Sequence, residues 1–411
     1  MIALEASVED HGGVAAQVLV LGGGFGGLFS AVAVSRWLRG RARVVLVDRN
    51  DFFLFTPLLY DVVTGRLRPH HVARPLRRLL SRSVEFVQAG VEEVDLYQHR
   101  VRTDRGPLSY DFLVLALGSV PNFYGVPGAE EHALRFKWLP DALRLRQCVL
   151  DRVTRGPGEA VRVVVVGAGC TGVELSVGLH DWVRRLGRAR LSVLEAMPQL
   201  LCPMDPRLMR ATVRALRSRD IEVRLGTVVE EVRAEAVVVR SGGARELVPA
   251  DLVVWTAGVQ ANPLVRQLPV ELGPGGRVLV TSTLQLPSFP EVLSLGDVAA
   301  CPDQAGVYLP ATAQVAVQQA AAAARALVAL VEGRTPQAFR YRRKGEVLGL
   351  GRMGAVAEAF GVRLVGLPAW LVASLVHLVR LPDWGDRAAV AWEWAKDAVG
   401  LGRPASREDE P

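Results

Sequence analysis

Apolar runs and glycines alternate in one order twice along the 411-residue chain. Gln17 to Leu21 is a short apolar run that ends in glycines. A helix-compatible stretch, Leu28 to Leu38, follows, and a second apolar run, Val44 to Asp48, closes the unit. Short apolar runs bounded by turn residues read as buried strands, so this is a strand–turn–helix–strand unit. The same order recurs in the β-branched run Val161 to Val166, its glycines, a helix and the strand Leu191 to Glu195. Two further runs, Phe112 to Leu117 and Leu252 to Trp255, fall in matching places after each unit. The pattern predicts an α/β chain with two Rossmann-like dinucleotide-binding domains, the second inserted into the first. The expected boundaries are a loose tail over 1–15, a discontinuous first domain over 16–130 and 280–335, a second domain over 150–279, and a C-terminal region over 336–411. Residues 311–330, rich in Ala and Gln, read as a helix.

Composition narrows the class. Half of the residues are hydrophobic and 22% are charged, which suits globular domains and not a disordered chain. The net charge is +7 and comes almost wholly from arginine, since Lys137, Lys344 and Lys396 are the only lysines. That excess follows from a biased genome or from attraction to phosphates and acidic lipid headgroups. The arginines are spread along the chain without a nucleic-acid motif, so no nucleic-acid partner is expected. Cys148, Cys170, Cys202 and Cys301 form no CxxC pair and have no zinc spacing, so no metal site is expected and a reducing compartment fits. The acidic start is unlike a signal peptide. No stretch reaches the ~18 uncharged apolar residues of a spanning helix.

The glycines carry the first chemistry. Gly22-Gly23-Gly24-Phe25-Gly26-Gly27 contains GxGxxG between a strand and a helix, the setting that makes this motif informative. Glycine permits the tight turn and the approach of a pyrophosphate to the helix N-terminus. Asp48, at the end of the second strand, is placed to meet adenosine ribose hydroxyls. Gly167-Ala168-Gly169-Cys170-Thr171-Gly172 repeats the arrangement, with Glu195 in the place of Asp48. An acid there favours NAD, because it repels the 2′-phosphate of NADP.

With both loops in place the chain resembles the two-dinucleotide flavoprotein oxidoreductases, in which the first loop binds FAD and the second NAD(P)H. Val292-Leu293-Ser294-Leu295-Gly296-Asp297 resembles the returning strand whose aspartate meets the flavin's ribityl–phosphate region. Within that superfamily it resembles the type II NADH dehydrogenases, single-subunit NADH:quinone oxidoreductases, over about residues 17 to 400. The segments that carry this are Phe55-Thr56-Pro57-Leu58-Leu59-Tyr60 with Thr64-Gly65, Ala116-Leu117-Gly118-Ser119, Gly125-Val126-Pro127-Gly128, Thr171-Gly172-Val173-Glu174-Leu175, Trp255-Thr256-Ala257-Gly258-Val259, and Leu309 to Gln318 with its AQxAxQ pattern. Cys170 stands where the family has proline or another small residue, and Phe53 where many members have histidine.

The resemblance implies an FAD site at Gly22, Gly24, Phe25, Gly26, Gly27, Asp48, Arg49, Pro57, Val91, Ala116, Gly118, Asp297, Ala313 and Gln314. It implies an NADH site at Gly167, Gly169, Cys170, Thr171, Gly172, Glu174, Glu195, Ala257 and Gly258. It implies a quinone site at Gln314, Gln318, Lys344 and Val347. Glu174, in the first turns of a helix, is the acid–base candidate, to orient NADH or relay a proton; the alternative is an acid favoured by the helix dipole. Gln314 and Gln318 share a helical face, and without the resemblance they would be the polar face of an alanine-rich helix. Lys344 would stabilise charge on a quinone oxygen, or lie in a solvated basic loop beside Arg342 and Arg343.

The C-terminal end is amphipathic. From Trp370 to Leu381, Leu371, Val372, Leu375, Val376, Leu378 and Val379 fall on one arc, with Ser374, His377 and Arg380 on the other. From Arg387 to Val399, Glu393, Lys396 and Asp397 fall together, opposite Val390, Trp392, Trp394 and Val399. This suits helices lying on a bilayer at the cytoplasmic face of the cell membrane, where a quinone dissolves; ordinary packing helices or a homodimer contact are the alternatives. The expected activity is non-proton-pumping NADH:quinone oxidoreduction in a respiratory chain. The competing readings are a sulfide:quinone oxidoreductase, which needs a redox cysteine pair, and a flavoprotein redox sensor without turnover.

Overall fold

The computed structural model describes residues 16–155, 159–200, 204–359 and 361–399. The expected tail over 1–15 and Cys202 lie outside the described residues. The chain divides into two compact units.

The first unit takes the described residues of Met1–Asp51, together with Leu76–Gly118 and Ala261–Tyr341. Its six-stranded sheet is centred on the strand Ala16–Leu21, which pairs in parallel with Ala42–Asp48 on one side and Phe112–Leu115 on the other. Val84–Gln88 extends the sheet beyond Ala42–Asp48, and Phe289–Ser294 extends it beyond Phe112–Leu115, both in parallel. Val18 to Leu21 are completely buried. That is why these strands read as unbroken apolar runs: a parallel sheet is covered on both faces. A three-stranded antiparallel sheet, Val91–Asp95, Arg100–Thr103 and Gly106–Ser109, interrupts the pattern before Phe112.

The second unit takes Phe52–Pro75, Ser119–Gln260 and the described part of Arg342–Pro411. It repeats the plan. Ala160–Val166 pairs in parallel with Arg188–Leu194 and Leu252–Trp255, and Glu222–Arg224 and Ala133–Arg135 complete five parallel strands. An antiparallel sheet, Thr227–Arg233, Ala236–Ser241 and Ala244–Pro249, precedes Leu252–Trp255 as its counterpart precedes Phe112. The segment Phe52–Pro75 and the C-terminal residues both cluster with this unit. Its C-terminal part is an antiparallel sheet of Gly345–Gly349, Ala355–Ala359 and Val362–Val365, followed by helices Leu367–Arg380 and Trp384–Ala398. Ala355, Ala357, Ala369 and Ala373 form the contact between that sheet and the first of these helices.

The Ala/Gln-rich stretch forms the helix Ala313–Val331, begun by Thr312, whose hydroxyl accepts the N–H of Val315. It is the one helix among the described residues with the length and mean hydropathy (1.3) to cross a membrane, which the sequence reading did not anticipate. Averaging over its many alanines carries it past the limit despite Gln314, Gln318, Gln319 and Arg325. More than half of it is buried inside the protein, as in a core helix.

Candidate dinucleotide and redox sites

The two glycine loops have one construction. Gly22 and Gly167 adopt φ of +104° and +102°, the left-handed region that favours glycine. A Cβ on Gly27 would lie 1.7 Å from the carbonyl oxygen of Gly22, and one on Gly172 would lie 2.0 Å from that of Gly167. These glycines let each helix pack against its own turn. The middle glycines differ: around Gly24 and Gly169 there is no protein atom within 4 Å of a Cβ. Each stands immediately before its helix, Phe25–Leu38 or Cys170–Leu186, and neither supplies a side-chain cap. Each loop thus offers uncapped helix N–H groups on an open side, which fits a pyrophosphate.

The two acids hold these turns. Asp48 accepts the Gly23 N–H at 2.6 Å through one oxygen and the Asn50 N–H at 2.7 Å through the other. Glu195 does the same with Ala168 at 2.8 Å and Met197 at 2.9 Å, and is buried. Ala257 lies against Gly167, where it would touch a Cβ at 2.6 Å, and Gly258 lies against the Tyr124 hydroxyl.

In the first unit, Ala116 presses its carbonyl on Gly22, Gly118 has a φ of +67°, and Asp297 sits in the turn Gly296–Val298. Ala313 and Gln314 open the alanine-rich helix, Arg49 is exposed, and Val91 begins the antiparallel sheet. Pro57, in the short helix Thr56–Leu58, belongs to the second unit. The sequence reading missed Gln319, one residue past Gln318 and fully buried. Its side chain accepts the Gly296 N–H at 2.7 Å and so fixes the turn that carries Asp297.

In the second unit, Glu174 accepts the N–H of Gly349 at 2.8 Å. Burial, set against that bond, pushes its carboxyl up to about 8. Asp61 and Glu346 add to the rise. The folded value lies above the unfolded one, so the native state keeps a proton that the unfolded chain loses. Stability therefore falls as pH rises from about 4.5 towards 8. Glu174→Gln is expected to unfold at a higher temperature than the parent at pH 8 and to show little gain at pH 5. An equal gain at both values would contradict the shift. Lys344 is exposed, and Val347 packs on the alanine cluster of the C-terminal sheet.

The C-terminal helices turn differently from the expected arcs. In Leu367–Arg380 the exposed residues include Leu367, Leu371, Leu375 and Val379, an apolar stripe four residues apart, while Ser374 and His377 line a small pocket. In Trp384–Ala398, Trp384 and Trp392 are exposed, but Val390 and Trp394 are core. Asp397 is also buried, away from the solvated face expected for it. It pairs with Arg66 at 3.0 Å and with Arg185 at 3.9 Å, and Arg66 also binds the fully buried Asp61 at 2.9 Å. The Trp394 indole N–H donates to Asp61 at 3.1 Å.

Among the described residues Cys148 and Cys301 are free thiols. Cys301 is buried, and burial raises its pKa, the opposite of what a redox thiolate needs. No group of three or more His, Cys, Asp or Glu able to hold a metal occurs among the described residues.

Two parallel sheets, each with an acid-braced glycine loop at a helix start, define a protein that handles two dinucleotides. The comparisons agree. Residues 16–320 match the family model described as pyridine nucleotide-disulphide oxidoreductase. A demethylphylloquinone reductase of Synechocystis sp. is 35% identical over 93% of this chain and 96% of its own length. A type II NADH:quinone oxidoreductase of Mycobacterium tuberculosis is 31% identical over 94% of this chain and 88% of its own. Among solved structures, an NDH2 of Plasmodium falciparum in complex with NADH superposes with a TM-score of 0.86 over 95% of this chain and 100% of that one, at 17% identity. The chain belongs to the pyridine nucleotide-disulphide oxidoreductase family, and within it to the type II NADH dehydrogenases.

Proposed function

We propose that this chain is an FAD-dependent NADH:quinone oxidoreductase. The observation that carries the proposal is the repeated loop: two uncapped helix starts, each braced by its own carboxylate, in a chain whose relatives bear the names of quinone reductases. Bound FAD supplies the two-electron relay between NADH and the quinone. The first loop, with Asp48, Ala116, Gly118 and the Gly296–Asp297 turn, holds FAD. The second, with Glu195, Ala257 and Gly258, holds NADH. Glu174 is the group that carries a proton, while Gln314, Gln318, Lys344 and Val347 receive the quinone. Glu195 sets the choice of nucleotide: its carboxylate repels a 2′-phosphate. Anaerobic titration of the bound flavin is expected to show reduction by NADH at much lower concentration than by NADPH. Glu195→Gln narrows that ratio by about tenfold, or ~1.4 kcal/mol. An unchanged ratio would sink the assignment of Glu195.

We also propose that the protein rests on the cytoplasmic face of the cell membrane through its C-terminal helices. The support is the outward apolar stripe of Leu367, Leu371, Leu375 and Val379, with the exposed Trp384 and Trp392 nearby in sequence. Burying two leucines is worth ~3 kcal/mol or more, roughly a hundredfold in partitioning. Leu371→Asp with Leu375→Asp should leave the protein in the soluble fraction in vesicle flotation, with turnover of a water-soluble quinone intact. A double variant that still floats would contradict this contact; a parent that does not float but sediments as a dimer would point to the homodimer contact instead.

A further inference from the structure

Glu174 lies among other polar groups of the second unit that the proposed reaction has not used. The hydroxyl of Tyr60 and Oε1 of Glu174 bracket one point, 2.9 and 3.5 Å from where a Cβ on Gly349 would stand. Tyr60 sits on the helix Leu59–Val63, against which Gly178 of the Glu174 helix packs closely: a Cβ there would meet Thr64 at 3.2 Å and Tyr60 at 3.6 Å. Tyr60 also lines a small pocket with Asp61, Arg66, Gly349, Ser374, His377 and Trp394. The water-accessible volume is about 20 Å³, enough for a water molecule where the walls are polar. Nδ1 of His377 is buried without a protein partner.

We infer that Tyr60 is a proton relay, which passes a proton from this cavity to Glu174 during quinone reduction. The inference rests on the proposed role of Glu174 as proton carrier. The overall reaction, NADH + H⁺ + quinone → NAD⁺ + quinol, takes one proton from the medium. When Glu174 has given up its proton, the Tyr60 O–H bond breaks towards the Glu174 carboxylate while a water molecule in the pocket gives a proton to the Tyr60 oxygen, its own O–H bond breaking; the hydroxide left behind takes up the one proton that the reaction draws from the medium. Tyr60 ends each cycle unchanged, and no electrons move in this step. The two transfers are concerted. Burial, then the charges of Asp61 and Glu174, raise the Tyr60 pKa far above its ordinary value, so a free phenolate does not form. Other charged groups face the same region. Asp61 and Glu346 of the C-terminal sheet disfavour negative charge on Glu174. Arg66 and Asp397 hold Asp61 in an ion-paired cluster. His377, depressed to about 4 by burial and then by Arg380, is neutral at pH 7, and its imidazole can accept a hydrogen bond and donate one.

The test uses the FAD-loaded enzyme with a water-soluble quinone, comparing the parent, Tyr60→Phe and Glu174→Gln. Tyr60→Phe is expected to keep its flavin content and its rate of flavin reduction by NADH. Its kcat with quinone should fall by about tenfold or more, with a shifted pH profile and an altered solvent deuterium effect. Identical kcat, pH profile and isotope effect in Tyr60→Phe overturn the relay. If Glu174→Gln is slow and Tyr60→Phe is not, the relay alone fails; if Glu174→Gln is also as fast as the parent, the role of Glu174 fails with it. Should Tyr60→Phe lose flavin, Gly349→Ala decides. Its Cβ would displace the Tyr60 hydroxyl while leaving tyrosine in the chain, and full turnover in that variant also counts against the relay.

Discussion

Gly27→Ala is expected to strip FAD from the protein. The new Cβ would stand 1.7 Å from the Gly22 carbonyl oxygen, a backbone atom that cannot swing away as a side-chain tip would. The helix Phe25–Leu38 must then move off its own turn, and the uncapped N–H groups at its start move with it. Purified Gly27→Ala should show less than about a tenth of the flavin-to-protein ratio of the parent, a loss of more than ~1.4 kcal/mol in FAD binding. Gly24→Ala separates folding from binding. No protein atom lies near that Cβ, so the fold should hold while the alanine intrudes where the pyrophosphate approaches. Gly172→Ala is the mirror experiment. Its Cβ would stand 2.0 Å from the Gly167 carbonyl, so NADH binding should fail while the bound flavin stays. If Gly172→Ala instead lost flavin and Gly27→Ala kept it, the assignment of the two loops would be reversed.

Arg66→Met carries the second large effect. Arg66 is the cation between two buried carboxylates, Asp61 and Asp397. Taking away one partner of a buried ion pair typically costs about 3–5 kcal/mol, because the remaining charge is left poorly compensated; here Asp61 loses its cation, while Asp397 keeps Arg185 at 3.9 Å. The early loss of folded protein on heating should be large. Adding Asp61→Asn to Arg66→Met should recover part of it, since one of the two carboxylates is then neutral and Asp397 keeps Arg185 at 3.9 Å, while the Trp394 N–H keeps a carbonyl to bond. The pH dependence has a definite sign. Burial raises the Asp61 pKa even with Arg66 present. Without the guanidinium it rises further, so Arg66→Met should be least damaging at low pH and worst at neutral pH. Thermal unfolding of the four proteins of this cycle at pH 5 and pH 7.5 measures it. An additive cycle would mean that the pair is not coupled.

These two regions were not equally legible in the sequence. The loops were, because a parallel sheet buries both faces of its strands and writes them as apolar runs, and because glycine is the residue that tolerates the turns at Gly22 and Gly167. The matching runs at Phe112 and Leu252 became matching parallel strands for the same reason. The Arg66 cluster was not legible. Asp61 and Trp394 are 333 positions apart, and no local pattern joins them. Helix rotation was also hidden. Gln319, not Gln318, turns inward to hold Gly296, since one residue along a helix is a rotation of about 100°. The C-terminal helices reversed the ordinary rule. Their apolar side chains include an outward stripe, while Asp397 and His377 face inward, because Ala369 and Ala373 dictate which side meets the sheet and Arg66 supplies a partner for the buried acid. Periodicity locates an amphipathic face but does not say which face is covered.

The most direct test of the central claim is a stopped-flow experiment on the FAD-loaded protein without oxygen. NADH should bleach the flavin rapidly, and a water-soluble quinone should then restore its colour at a rate that accounts for steady-state turnover. A flavin that NADH leaves oxidised, or a reduced flavin that quinone does not reoxidise, would contradict it.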